Sequence, residues 1–234
     1  MTAATLSVIG VEGLPEIVPG TSVGAILAAR APLAPGDVVV VTQKIVSKAE
    51  GRLVPVDAAD PEAKRRLAES EARRILRRRG ELVITETRQG FVCANSGVDL
   101  SNVAEGFAAL LPIDPDRSAR GIRDAVRALC GFEIGVIISD TFGRAWRRGL
   151  VDVAIGCAGI AAIVDLRGSA DGSGRVLAAT EMCVADEIAA AAELVMGKAA
   201  HVPAAIVRGV DAAWLRESSV ADEVVRPHGE DLFR

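Results

Sequence analysis

The run Val38-Val39-Val40-Val41 carries no polar alternation. A strand with one wet face alternates apolar and polar residues, so an unbroken β-branched run predicts a central strand covered on both faces. The turn Pro35-Gly36-Asp37 introduces it. Ile134 to Ser139 and Ala204 to Val207 read as further buried strands, and Thr5 to Ile9 as a first one. Glu81 to Glu86 and Phe91 to Ala94 read as a hairpin around Gln89-Gly90.

Helical patterning occupies the intervals. Val23 to Arg30 predicts a short helix after the Gly13-Leu14-Pro15-Glu16 loop, which Pro15 keeps extended. Residues 60–80 predict a longer one, with Asp60 as cap, Pro61 at the first position and Gly80 as terminator. Its end holds Arg73, Arg74, Arg77, Arg78 and Arg79, which suit a solvated face that complements the helix dipole. Asp116 to Leu129, ending at Gly131, and the alanine-rich Cys183 to Met196, ending at Gly197, predict two more. Residues 211–234 are polar and predict a partly loose tail. There is no repeat and no Pro-, Gly- or Ser-rich linker, so the expectation is one large domain or two interlocked smaller ones.

Composition narrows the function classes. With 234 residues, half of them hydrophobic, the chain can bury a full core. No run approaches eighteen apolar residues and no leader pattern opens the chain, which points to the cytoplasm and away from a membrane partner. A net charge of −4 gives no electrostatic case for nucleic acid. Cys93, Cys130, Cys157 and Cys183 are widely spaced and read as small buried hydrophobes rather than zinc ligands or disulfides. With only His201 and His228, metal and acid-base chemistry falls to carboxylates.

Neither a Walker A loop nor a Gly-x-Gly-x-x-Gly turn is present, so a nucleotide would have to be held another way. Three segments place phosphate-compatible groups beside buried strands. They are 43–52 after the valine run, 95–102 after the hairpin, and Asp140-Thr141 with Arg144, Arg147 and Arg148, read as a strand end opening into a loop. A carboxylate and a hydroxyl at a strand end, beside arginines, suit a divalent cation bound together with phosphate. Each segment has a structural alternative. Lys44 and Lys48, four apart, would share a solvated helix face; Asp99, Asn102, Asp114, Asp116 and Asp140 would serve as turn or capping residues; and Trp146 would pack rather than stack on a base. Glu181, Asp186 and Glu187 would open the alanine-rich helix.

The strings VVVVTQKIVSKAEGR (38–52), SGVDLSN (96–102), LLPIDPDRSAR (110–120), ISDTFGRAWRRG (138–149) and VADEIAAAAELVMGKA (184–199), with GLPE at 13–16, occur in that order. Together they resemble the coenzyme F420-0:L-glutamate ligase family over roughly residues 6–210. The resemblance implies an α+β fold of the family's own type, with mixed sheets, covering helices and an intertwined homodimer. It implies a ligase that uses GTP and a divalent metal, Mn²⁺ or Mg²⁺, with a monovalent cation such as K⁺, to join L-glutamate to coenzyme F420-0 and to add further γ-linked glutamates. Carried over by position, Asp99 and Asp140 match ligands of a first metal and Thr141 a ligand of a second. Gly13, Leu14, Pro15, Glu16, Gln43, Lys44, Lys48, Asn102 and the turn Leu194, Met196, Gly197, Lys198 match the GTP site. Arg144 and Arg147 join Asp99 and Asp140 as catalytic candidates.

The archaeal pattern has small hydroxyl or thiol residues at Gln43 and Lys44 and an acid at Lys198, which implies altered nucleotide contacts here. Actinobacterial versions are closer at these positions and commonly add a C-terminal flavin-binding domain beyond the length of this chain. The chemistry expected is transfer of the GTP γ-phosphate to a carboxylate, followed by amine attack on the acyl phosphate, with no protein nucleophile. A metal-dependent phosphohydrolase or small-molecule phosphotransferase would use the same aspartates, and a non-catalytic nucleotide-binding subunit would use the same pocket.

Overall fold

The computed structural model describes residues 5–57 and 59–231, and its architecture is α+β. In chain order the elements begin with β1 (Ser7–Gly10), α1 (Val23–Arg30), β2 (Val38–Thr42), α2 (Gln43–Ala49) and β3 (Leu53–Pro55). There follow α3 (Ala63–Glu71), β4 (Ala72–Arg79), β5 (Leu82–Thr87), β6 (Val92–Ala94), β7 (Phe107–Ala109) and α4 (Pro115–Cys130). The last are β8 (Gly135–Arg144), β9 (Arg147–Ala158), β10 (Val164–Asp165), β11 (Glu181–Met182), α5 (Val184–Met196), β12 (Ala204–Arg208) and α6 (Val220–Glu223).

The main sheet has the order β1-β12-β2-β8-β9. Only β2 and β8 run parallel in it; the other pairings are antiparallel. As the apolar run requires, all four valines of β2 are wholly buried, and alternate ones enter different cores. Val39 and Val41 meet Leu27 of α1 and Ile122 and Val126 of α4. Val38 and Val40 meet Ile188, Ala189 and Ala192 of α5. The sheet is thus sandwiched between α1/α4 and α5. A third, smaller core around Ala68, Val98, Ala108 and Leu110 lies under α3.

Helix ends follow local chemistry. Ser22 caps α1 by accepting from the Ala25 N–H, and Asp114 caps α4 from the Arg117 N–H, with Pro115 in the first turn and Gly131 left-handed at the end. At Gly156 a Cβ would lie 2.4–2.6 Å from Pro115, so only glycine lets α4 sit this close to β9.

Three expectations are corrected. The helix predicted over 60–80 ends at Glu71, and the arginine-rich stretch is strand β4, paired antiparallel with β5 and continuing through β5 to β6. Its arginines are solvated, as expected, but along a strand, because tertiary pairing overrides helix propensity. The stretch after Asp140-Thr141 is no open loop either: β8 continues to Arg144 and returns as β9 in a long hairpin. The tail packs onto the body through Trp214, Leu215, Val220, Val224 and Val225, more firmly than expected, while 226–230 are exposed. Val220 is wholly buried, and the buried Asp116 carboxylate accepts the Val220 and Ala221 N–H groups as well as that of Cys157. Residues 232–234 lie outside the described residues.

Among the described residues no helix is long and apolar enough to cross a membrane. All four cysteines are free. Burial pushes the thiols of Cys93, Cys157 and Cys183 up to about 12, which suits packing rather than reactivity.

Candidate active site

Because β2 and β8 are parallel, with Thr42 opposite Ser139, β2 ends at the level where β8 carries Ser139, Asp140 and Thr141 on toward its hairpin. The carboxyl ends of strands are where α/β sheets bind ligands. Thr42, Gln43 and Lys44 leave β2 there, and Ser139, Asp140 and Thr141 lie across from them. They floor a cavity of about 760 Å³, within the size range of small-molecule sites. The 14–17 loop, the 97–102 segment, Leu150 and Asp152 of β9, and Glu193, Gly197, Lys198 and His201 complete its walls.

The cavity is lined with opposed charges. Lys44 Nζ lies 2.8 Å from Asp99 Oδ2 and 2.7 Å from Ser101 Oγ. Burial opposes ionisation of Asp99, but hydrogen bonds from Lys44 and from the Ser101 N–H outweigh it and hold the carboxyl below its usual value. Lys48 Nζ pairs with Glu16 Oε1 at 2.5 Å. Neither lysine is the freely solvated group that its spacing also allowed.

Asp140 behaves differently. Desolvation pushes its carboxyl up to about 7, with the charges of Asp99 and Asp152 adding to the rise and the Thr141 backbone and Lys198 opposing it. Asp152, only 1% exposed, accepts from Ser139 Oγ at 2.9 Å and Thr141 Oγ1 at 2.6 Å. Lys198 Nζ reaches Asp152 Oδ1 at 3.0 Å, Glu193 Oε1 at 2.9 Å and the Thr141 hydroxyl.

Two buried polar groups remain open in this cavity. Glu193 Oε2 has no hydrogen-bond partner. Ser47 has one proton and two acceptors at hand, the Leu110 carbonyl at 2.6 Å and the Gln43 amide at 2.7 Å, and Gln43 Nε2 is unpaired. Whichever way the Gln43 amide is turned, one of its polar atoms is left for a ligand. The donor set of Asp99, Asp140 and the nearby hydroxyls is all oxygen, the chemistry that Mg²⁺ and Mn²⁺ prefer. Among the described residues, no three acidic, His or Cys side chains converge into a ready cage.

The structure therefore brings together Leu14, Pro15, Glu16, Gln43, Lys44, Lys48, Asp99, Asn102, Asp140, Thr141, Gly197 and Lys198. The other residues singled out from the sequence lie elsewhere. Gly13 adjoins the cavity without lining it, Met196 is wholly buried in the core against α5's face of the sheet, and Leu194 points to solvent. Arg144, Arg147 and Arg148 ride the tip of the β8–β9 hairpin, exposed and clear of the cavity. Trp146, between them, is 90% exposed, so it does not pack. Asp114 is a cap, Asp186 accepts the Ala154 N–H, and Glu181 belongs to β11 rather than to the helix.

Asp152 and Glu193 were not anticipated, yet both leave a trace. Each is a lone carboxylate in an apolar stretch, Val151-Asp152-Val153 and Ala192-Glu193-Leu194, where a charge signals a specific partner.

Comparison with known proteins bears on the family. The sequence model described as F420-0:Gamma-glutamyl ligase matches residues 13–209. The chain is 41% identical to the Coenzyme F420:L-glutamate ligase of Methanothermobacter thermautotrophicus, over 98% of this chain and 99% of that one. It is 41% identical to the Methanopyrus kandleri protein of the same name, over 94% of each chain, and 39% to that of Methanocaldococcus jannaschii, over 98% and 97%. Matches of this identity and extent, over a chain whose cavity gathers the residues that the motifs singled out, make it an enzyme of the F420-0:gamma-glutamyl ligase family.

Proposed function

We propose that this chain joins L-glutamate to the free carboxylate of coenzyme F420-0, with GTP and Mg²⁺ or Mn²⁺, and adds further γ-linked glutamates. The observation that carries this reading is one cavity in which Asp99, Asp140 and Asp152 face Lys44, Lys48 and Lys198. Carboxylates for a cation and ammonium groups for phosphate oxygens are the inventory of phosphoryl transfer.

A carboxylate resists attack by an amine because it is an anion with no good leaving group. In the proposed reaction one substrate carboxylate oxygen attacks the γ-phosphorus, the bond to GDP breaks, and an acyl phosphate results. The glutamate amine then attacks the carbonyl carbon and loses a proton, and phosphate leaves with the original carboxylate oxygen. Lys44 and Lys48 hold the phosphate chain in this scheme, and the open atom of Gln43 meets the nucleotide. Asp99 and Asp140 would hold the divalent ion, which would lower the charge repulsion between phosphate and incoming carboxylate. No protein nucleophile is needed.

The exposed Trp146 and Leu150 on the β8–β9 hairpin support a homodimer as the working form, since apolar side chains on a projecting arm gain most from a partner surface.

Incubation with GTP, Mn²⁺, coenzyme F420-0 and L-glutamate tests the reaction. GDP is expected only when both cosubstrates are present, with a product heavier by one glutamyl unit or more. GDP release that ignores glutamate would favour a phosphohydrolase instead.

A further inference from the structure

Lys198 follows Gly197, the residue that ends α5 with φ 57° and ψ 162°. That region of backbone space is open essentially to glycine alone, so the turn that aims residue 198 back into the cavity is fixed by the sequence. An ammonium has three N–H donors. Three oxygens surround this one: Asp152 Oδ1 at 3.0 Å, Glu193 Oε1 at 2.9 Å and the Thr141 hydroxyl.

The acids of the cavity thus fall into two groups. Asp152 and Glu193 share the Lys198 ammonium. Asp99 pairs with Lys44, and Asp140, which feels the charges of Asp99, Asp152 and Lys198, has no lysine or arginine within ion-pair distance among the described residues. A second divalent ion at Thr141 and Asp152 would have to displace an ammonium bonded to both and to Glu193, whereas at the first position only Asp99 gives up a lysine and Asp140 brings a carboxylate with no ion-pair partner among the described residues.

We propose that Lys198 is a resident cation that fills the position bounded by Thr141, Asp152 and Glu193, so this chain takes one divalent ion, at Asp99 and Asp140, rather than a pair. The inference rests on the reading of the cavity as a metal–nucleotide site, and it deepens that reading by removing Thr141 from the metal ligands. Lys198 then acts as a fixed charge, placed by the fold instead of recruited from solution.

The test is a count of bound Mn²⁺ by the loss of the free-ion electron paramagnetic resonance signal, with saturating GDP and no turnover. The wild-type protein is expected to bind one ion per chain. Lys198→Ala, and more tightly Lys198→Glu, are expected to bind two, with circular dichroism confirming that they are folded. Lys198→Arg should stay at one. Two ions in the wild type would overturn the inference while leaving the metal–nucleotide reading intact, and so would folded Ala and Glu variants that stay at one. No bound ion in the wild type would overturn the metal–nucleotide reading and this inference with it. Because the wild-type count decides by itself, the test survives a variant that fails to fold.

Discussion

Replacement of Asp152 should cost stability in proportion to the acceptors it removes. The side chain is 1% exposed and receives two hydroxyl donors and one ammonium. A hydrogen bond to a charged group contributes about 1.5–3 kcal/mol, and a buried donor left unpaired costs about 1–3 kcal/mol. Lys198 is 59% exposed and keeps Glu193 at 2.9 Å, so its share is small after solvent screening. Asp152→Asn retains one oxygen acceptor and places an NH₂ against a hydroxyl, for an expected loss of about 2 kcal/mol. Asp152→Ala removes both acceptors and opens a void beside Ser139, for an expected loss of about 4 kcal/mol. Urea unfolding at fixed protein concentration measures both as a fall in midpoint at constant slope. An Ala variant within about 1 kcal/mol of wild type would refute the reasoning, because it would mean that the two hydroxyls find other partners at no cost.

Asp99→Asn and Asp140→Asn should each abolish ligation, on the order of a thousandfold or more, with the fold intact by circular dichroism, since each removes a ligand charge from metal-assisted phosphoryl transfer. Near wild-type turnover in either would remove that residue from the site. Metal-free protein should lose stability as pH rises, because the raised Asp140 carboxyl favours its proton in the folded chain. That contribution is full below the ordinary value of 3.8 and is lost as pH climbs to about 7, an effect of about 4 kcal/mol at most. Thermal melts from pH 4 to 8 should show the decline, and Asp140→Asn should flatten it. Sedimentation should give twice the chain mass, and Trp146→Ser with Leu150→Ser should shift it toward one; a folded wild-type monomer would contradict the dimer.

Much of the fold was legible because apolar patterning speaks directly to burial. The unbroken valines of β2 predicted a strand covered on both faces, and the helices read over 23–30, 116–129 and 183–196 lie within a residue or two of α1, α4 and α5. The failures share one cause, structure imposed from elsewhere in the chain. Arginine and leucine favour helix locally, yet 72–79 is a strand because β5 pairs with it. The hairpin after Asp140 hides behind a turn holding Trp146 at φ 63°, a residue type that turn chemistry does not suggest. In the site, Asp99, Asp140, Lys44 and Lys48 stood out beside strands. Asp152 and Glu193 sit inside a strand and a helix, where only the oddity of a charge among apolar neighbours marked them.

The parallel pairing of β2 with β8 has a kinetic consequence. Val38 meets Gly135 across roughly a hundred residues of intervening chain. Closing a loop of that length costs about 4 kcal/mol in chain entropy by the logarithmic law. Hairpins such as β8–β9 and β5–β6 can form within microseconds, but the edge that carries Thr42, Gln43, Asp140 and Thr141 exists only after this long closure. Nucleotide binding should therefore appear with the slowest step of refolding. A partly folded chain can hold native hairpins and helices and still bind nothing, so the cavity reports completion of the whole molecule rather than the state of any one part.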